Sequence, residues 1–88
     1  MKRKMKEVNS IAQVDLSDLR LPMAAVHVRP LDYPDKCVAR IFDVDKPIDT
    51  VIIKDSLEEI QEDFKTNTGM VFMLRGAEDV KSLVGVWV

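Results

Sequence analysis

The stretch from Thr50 to Leu74 constrains the fold of this chain most, because it has the pattern of a strand, a helix and a second strand in succession. The apolar run Thr50–Ile53 predicts the first strand, and Asp55–Lys65 have the spacing of an amphipathic helix. Met70–Arg75 carry apolar residues on both faces, which predicts a covered strand. This succession favours a small sheet with one helix packed on one face.

The predicted helix has signals at both ends. Asp55 and Ser56 are good N-cap residues, and Ser56 with Glu59 has the spacing of a capping box, in which the two side chains satisfy otherwise unpaired N–H groups. Asn67 and Gly69 are residues that commonly end a helix. We therefore expect a helix of about three turns between these signals.

The apolar stripe of this helix explains why it must pack against something. Leu57, Ile60 and Phe64 recur at the spacing of one helical face. A helix of this length does not persist alone in water, whereas burying each of these side chains contributes about 1.5 to 3 kcal/mol. The stripe is therefore expected to face the sheet.

Three further strands are predicted from alternating or apolar runs. Met23–Arg29 end at a proline, Cys37–Val44 form the second, and Ser82–Val88 end the chain. Cys37–Val44 have the pattern of an antiparallel hairpin with the strand that contains Thr50–Ile53, which extends over Asp49–Lys54. A short helix over residues 77–84 is an alternative for the last part. The predicted order is β-β-β-α-β-β, a mainly antiparallel sheet in an α+β domain.

One face of such a sheet needs a second cover, because a single helix of three turns is too small for both faces. An N-terminal arm, residues 8–22, has apolar side chains that could fold over the second face. These are Val14, Leu16, Leu19 and Leu21. Alternatively, that face carries Trp87 and forms a homodimer or partner interface, for which tryptophan is a good anchor.

Charge divides the chain into a leader and a body. Residues 1–7 hold four basic groups and one acid, for +3, whereas the other 81 residues hold nine basic groups and fourteen acids, for −5. We expect 1–7 to be a disordered basic leader and 8–88 a single domain. Contact with nucleic acid through the leader is an alternative, although the acidic body disfavours nucleic acid.

Composition excludes several classes of protein. Eighty-eight residues, 47% of them hydrophobic, suit one domain that buries about 60 to 68% of its unfolded surface. A single cysteine excludes an internal disulfide. No apolar run approaches the length of a membrane span. No apolar stretch follows the basic start, as it would in a secretory signal. We expect a cytoplasmic protein, and no motif predicts a cofactor.

Two aspartates form the most enzyme-like motif. Asp43 and Asp45 follow an apolar strand, where carboxylates can hold Mg²⁺ or act as nucleophile and acid, so a small metal-dependent hydrolase is one interpretation. The other interpretation is a polar hairpin turn, with Asp45–Pro47 reversing the chain through a loop of four to five residues.

The single histidine, His27, and the single cysteine, Cys37, exclude a His/Cys zinc cluster within one chain. They could form a nucleophile and base pair if their strands were neighbours. However, Cys37 alternates with Ala39 and Ile41, the pattern of a buried, inert thiol. We predict no catalytic residue and no metal site.

The polar face of the helix is acidic along its length. Its acids form like-charge pairs four residues apart, which weaken a helix by a few tenths of a kcal/mol per pair. A solvated face is one explanation, and an acidic docking surface for a basic partner is the other. The residues predicted to interact with a partner are Glu58, Glu59, Glu62, Asp63 and Trp87.

Three predicted strands followed by Asp55-Ser56-Leu57-Glu58-Glu59-Ile60 resemble the unit found in HicB-type antitoxins, in which an acidic helix follows a short antiparallel sheet. The resemblance covers about 30 residues, and the chain lacks the appended DNA-binding domain and the Gly-Cys segment common in that family. The resemblance makes inhibition by protein contact compatible with the fold. From the acidic helix face and the sheet face near Trp87 we expect a small non-catalytic interaction or regulatory domain that binds a protein partner or a second copy, and no membrane.

Overall fold

The computed structural model describes residues 6–74 and 82–88. Its strands and helix are β1 (Lys6–Val8), β2 (Pro22–Val28), β3 (Cys37–Asp43), β4 (Lys46–Lys54), α1 (Leu57–Asn67), β5 (Phe72–Leu74) and β6 (Leu83–Trp87). One sheet contains all six strands in the order β1-β4-β3-β2-β6-β5, and only the β1–β4 pair is parallel. The predicted α+β class, a mainly antiparallel sheet with one helix on one face, is confirmed.

Strand β1 lies where the leader was expected to end. Lys6 is aligned with Thr50, and Val8 with Ile52, both on β4. Val8 packs against the core, which gives this short segment an apolar anchor. Three residues are too few to show strand periodicity in a sequence. Of the disordered leader predicted at 1–7, residues 1–5 lie outside the described residues, whereas Lys6 and Glu7 belong to β1.

A single apolar layer lies between α1 and the sheet. Its buried members come from four strands, the helix and the arm: Ala24, Val26, Cys37, Ala39, Ile41, Ile52, Ile60, Phe64, Trp87 and Ile11. Leu57 packs against the edge of this layer, so all three residues of the predicted stripe face the sheet. Burial of this layer is the main favourable contribution to folding.

The N-terminal arm packs beside α1 and not over the second face of the sheet. The 3₁₀ turn Ile11–Gln13 contacts the helix, and Val14, Leu16 and Leu19 join the same apolar layer. Leu21 is exposed. The proposed cover of the second face by the arm is therefore wrong, because the short helix leaves room beside it for these side chains.

The ends of α1 confirm one prediction and correct another. Ser56 is the N-cap, and its Oγ accepts the Glu59 N–H at 3.3 Å and donates to Glu59 Oε2 at 3.0 Å. At the other end, Thr68 takes the role expected of Gly69, because Thr68 Oγ1 donates to the carbonyl of Phe64 at 2.7 Å. At eleven residues, α1 is too short to cross a bilayer, and no other described helix is long or apolar enough.

The β3–β4 connection is tighter than predicted. Asp43 and Lys46 already pair, so Val44 and Asp45 alone form the turn, and Pro47 belongs to β4. Val44 has φ of 62°, a left-handed conformation that a β-branched residue rarely adopts. The predicted alternative helix over 77–84 lies partly outside the described residues, and its Leu83 and Val84 belong to β6.

Candidate interaction surface

The outer face of α1 carries three exposed glutamates, Glu58, Glu59 and Glu62, on its first two turns. They line an open groove of about 600 Å³ beside Lys54 at the end of β4. Asp63, Thr66 and Asn67 complete the lining. The groove therefore presents several carboxylates and one amine to solvent.

Two of these carboxylates are oriented by neighbours on the helix. Glu59 Oε2 accepts the Ser56 hydroxyl at 3.0 Å, and Glu62 accepts the Thr66 hydroxyl at 3.0 Å. In the part of the chain that the structure describes, the side-chain ion pairs are Lys36–Asp55 and Arg40–Asp32, and neither includes a glutamate of α1. The glutamates thus keep their charge available to an external cation.

The Lys36–Asp55 ion pair lies just before the helix. The hydrogen bond between the two side chains raises the pKa of Lys36 and lowers that of Asp55. Both groups are exposed, so the pair contributes little to stability. Its effect is to neutralise Asp55, which leaves the acidic character of this region to the α1 glutamates.

Asp63 is a structural residue and not a surface acid. Only 8% of it is exposed, because its carboxylate faces the arm. It accepts hydrogen bonds from the Ser10 hydroxyl and the Ile11 N–H, both at 2.7 Å, and from the Asn67 amide at 2.8 Å. The expectation that Asp63 belongs to the exposed acidic face is corrected: it fastens the arm to the helix.

Trp87 lies in the core beneath α1, so its expected position on the uncovered face is also corrected. It is 7% exposed and stacks on Phe64 with 5.4 Å between ring centroids. Phe72 approaches the indole at 5.2 Å, and the indole N–H donates to Gln61 Oε1 at 3.0 Å. Trp87 faces the helix because it pairs with the inward-facing Ala24.

The second face of the sheet carries polar contacts that the sequence pattern did not reveal. Arg40 donates to Asp32 in the β2–β3 loop, and this hydrogen bond lowers the pKa of Asp32. The Tyr33 hydroxyl donates to Glu7 of β1 at 2.8 Å, which raises the pKa of Tyr33. The first contact ties the loop to the strand that follows it, eight residues on, and the second ties it to β1, 26 residues away, a distance that no local spacing could have indicated.

His27 and Cys37 lie on opposite faces of the sheet. His27 pairs with Val38, and Cys37 with Val28, so the proposed nucleophile and base pair is wrong. Cys37 is buried, as its pattern predicted, and burial raises the pKa of its thiol. His27 Nδ1 lies 2.9 Å from Ser82 Oγ, and burial followed by the charge of Arg40 lowers the pKa of the imidazole.

Asp43 takes part in hydrogen bonds of the fold. Its Oδ1 accepts the N–H groups of Arg20 and Leu21 at 2.9 and 3.0 Å, which fixes the arm where β2 begins. Within residues 6–74 and 82–88, no three His, Cys, Asp or Glu side chains are grouped to hold a metal ion. The Asp43/Asp45 hydrolase stays a prediction, tested by a Mg²⁺ titration followed by NMR at these two residues.

Comparison with known proteins gives no relative: no family model matches the chain, and no curated protein or solved structure matches it either. The resemblance to HicB-type antitoxins therefore rests on the six residues from Asp55 to Ile60 and the strands before them. The geometry of the chain itself carries the functional argument.

Proposed function

We propose that this domain acts without catalysis, by binding a basic protein partner through the outer face of α1. Glu58, Glu59 and Glu62 form the proposed contact. The observation that carries the proposal is that these three exposed carboxylates take part in no ion pair among the described residues, while Ser56 and Thr66 orient two of them. Asp63 and Trp87 support the surface from beneath.

Electrostatics supports this choice of partner. Glutamates four residues apart, such as Glu58 and Glu62, repel each other on a helix, and cations of a partner relieve that repulsion on binding. The −5 charge of residues 8–88 extends the attraction beyond direct contact and speeds the encounter with a basic surface. The proposed affinity is therefore sensitive to salt.

Inhibition is the form of regulation that fits this surface. A rigid acidic helix can occupy a basic cleft that otherwise holds nucleic acid, so a nuclease or another nucleic-acid enzyme is the proposed class of partner. The resemblance to HicB-type antitoxins suggests the same mode of action. A cytoplasmic location, which the single cysteine favours, belongs to this proposal.

Charge reversal tests the proposal. The variant Glu58→Lys with Glu62→Lys is compared with wild type and with Asp18→Lys plus Asp35→Lys, which changes net charge equally at exposed sites outside α1. Each protein is used to capture partners from the native cell, with quantitative mass spectrometry as the readout. We expect partners that are retained by the control but lost with the helix variant, and weaker capture at high salt.

Equal capture by all three proteins would end the proposal. Loss with both double variants would also contradict it, since binding would then follow net charge and not the α1 surface. Circular dichroism of each variant checks that the fold is kept, which is expected because none of the four positions is buried.

A further inference from the structure

The two edges of the sheet differ in charge. At one edge, β1 presents Lys6 and Glu7, and charged residues of this kind protect an edge against pairing with another strand. At the other edge, β5 has no such protection, because the segment from Gly69 to Leu74 contains no charged residue. Val71, Met73 and Leu74 are 63%, 58% and 80% exposed. Within residues 6–74 and 82–88, the β5 edge is therefore the one that lacks charged side chains.

The backbone of β5 has hydrogen-bonding groups that face away from the sheet. Val71 and Val88 exchange both N–H···O=C bonds, at 2.7 and 2.9 Å. Because such pairs alternate along an antiparallel ladder, Phe72 and Leu74 direct their N–H and C=O groups outward. Among the described residues, β5 is the last strand of the sheet, so these groups have no strand partner.

Packing holds β5 in place for pairing. The Phe72 ring lies over Gly85 of β6, where a Cβ would come within 2.5 Å of Phe72 Cζ and of the Met73 carbonyl oxygen. Glycine is required at this close approach. The same ring contacts Trp87, so the edge strand is anchored to the core and its exposed groups are fixed in direction.

We propose that β5 pairs antiparallel with β5 of a second copy of this chain, across a twofold axis at Met73. In that register Phe72 of each copy lies opposite Leu74 of the other, which satisfies the outward N–H and C=O groups of both residues. At the twofold axis Met73 lies opposite Met73 of the other copy, so a charged residue at this position would meet its own charge. The uncharged β5 avoids this repulsion, which favours a second copy over a charged partner strand.

The dimer extends the sheet from six strands to twelve and leaves the α1 glutamates outside the interface. It is independent of the proposed function. Because the apolar strip is short, we expect a reversible dimer whose population depends on protein concentration. Pairing of β5 with β1 of another copy would instead join molecules head to tail and give species larger than a dimer.

Sedimentation velocity across a range of concentrations tests the proposal, with Met73→Lys and Met73→Glu as variants. Each variant places like charges at the twofold axis, and we expect the dissociation constant to rise about tenfold or more. A mixture of the two variants should form the dimer again, because opposite charges then meet. A merely misfolded variant would not show this rescue.

Leu31→Lys is the matched control, because Leu31 is fully exposed in the β2–β3 loop and the substitution is chemically similar. It should dimerise like wild type, as should Glu58→Lys with Glu62→Lys. In wild type, the Phe72 and Leu74 amides should exchange more slowly as concentration rises. A monomer at millimolar concentration, species larger than a dimer, or a dimer unaffected by Met73→Lys would overturn the proposal.

Discussion

The two faces of the sheet are closed in different ways. On the helix side, α1 and the arm enclose an apolar layer centred on Phe64 and Trp87. On the second side, Val38 and Val51 are fully buried, yet the neighbouring contacts include the ion pair between Arg40 and Asp32. We infer that the helix side supplies most of the stability and that the second side mainly positions its loop.

The largest effect is expected from Phe64→Ala on the helix side. The substitution removes the ring that stacks on Trp87 and leaves a cavity, so the free energy of unfolding should fall by about 3 to 5 kcal/mol. Urea unfolding followed by Trp87 fluorescence measures the change. Val38→Ala on the second face is the comparison, and an equal or larger loss there would break the contrast between the faces.

Asp63→Asn tests whether a polar contact on the helix side matters as much as an apolar one. An amide cannot accept all three hydrogen bonds, and the buried Ile11 N–H would lose its charged acceptor, so we expect a loss of about 2 kcal/mol. Hydrogen exchange of the Ile11 amide should accelerate more than that of β3. Glu62→Gln, an exposed neighbour, should change stability by less than about 0.5 kcal/mol.

The Arg40–Asp32 pair should contribute little. The two side chains are 25% and 56% exposed, so a double-mutant cycle of Arg40→Met and Asp32→Asn should give a coupling energy below about 1 kcal/mol. Thermal or urea unfolding of the four proteins measures it. A coupling of several kcal/mol would show that the second side also stabilises the fold.

The smallest expected effect is a dependence of stability on pH that His27 causes. Burial, and then the charge of Arg40, lowers its pKa in the folded protein below the unfolded value of 6.5, whereas Asp32 opposes this shift. The unfolded chain then binds the proton first, so stability is complete above pH 6.5 and declines as pH falls through that value. His27→Gln should flatten this decline in urea titrations at several pH values. An unchanged decline would assign it to other groups.

Sequence patterns predicted the parts of the fold that depend on neighbouring residues. The Ser56 cap on the Glu59 N–H and the stripe of Leu57, Ile60 and Phe64 concern residues three to seven apart, and the structure shows them as expected. The other half of the predicted capping box differs, because the Glu59 carboxylate accepts the Ser56 hydroxyl. The predicted positions of Asp63 and Trp87 were wrong because both depend on contacts between residues far apart in the sequence. Asp63 has helical neighbours that are exposed, but its main partners lie 52 and 53 residues away.

The candidate surface was predicted only in part. The sequence identified the acidic helix, whereas burial divided its acids into three exposed glutamates and one structural aspartate. The β5 edge had been expected to be a covered strand, because its residues are apolar on both faces. Its position at the edge follows from strand order, which depends on long-range pairing and not on local composition.

The sequence by itself determined the class of this protein: a capped amphipathic helix among apolar strands must pack on a sheet, since burial of its stripe outweighs helix propensity. Only the tertiary structure decided what lies beside the helix, which way Trp87 faces and which strand forms the unprotected edge. Strand register and order set these features, and a shift of one residue would turn every side chain of a strand to the other face.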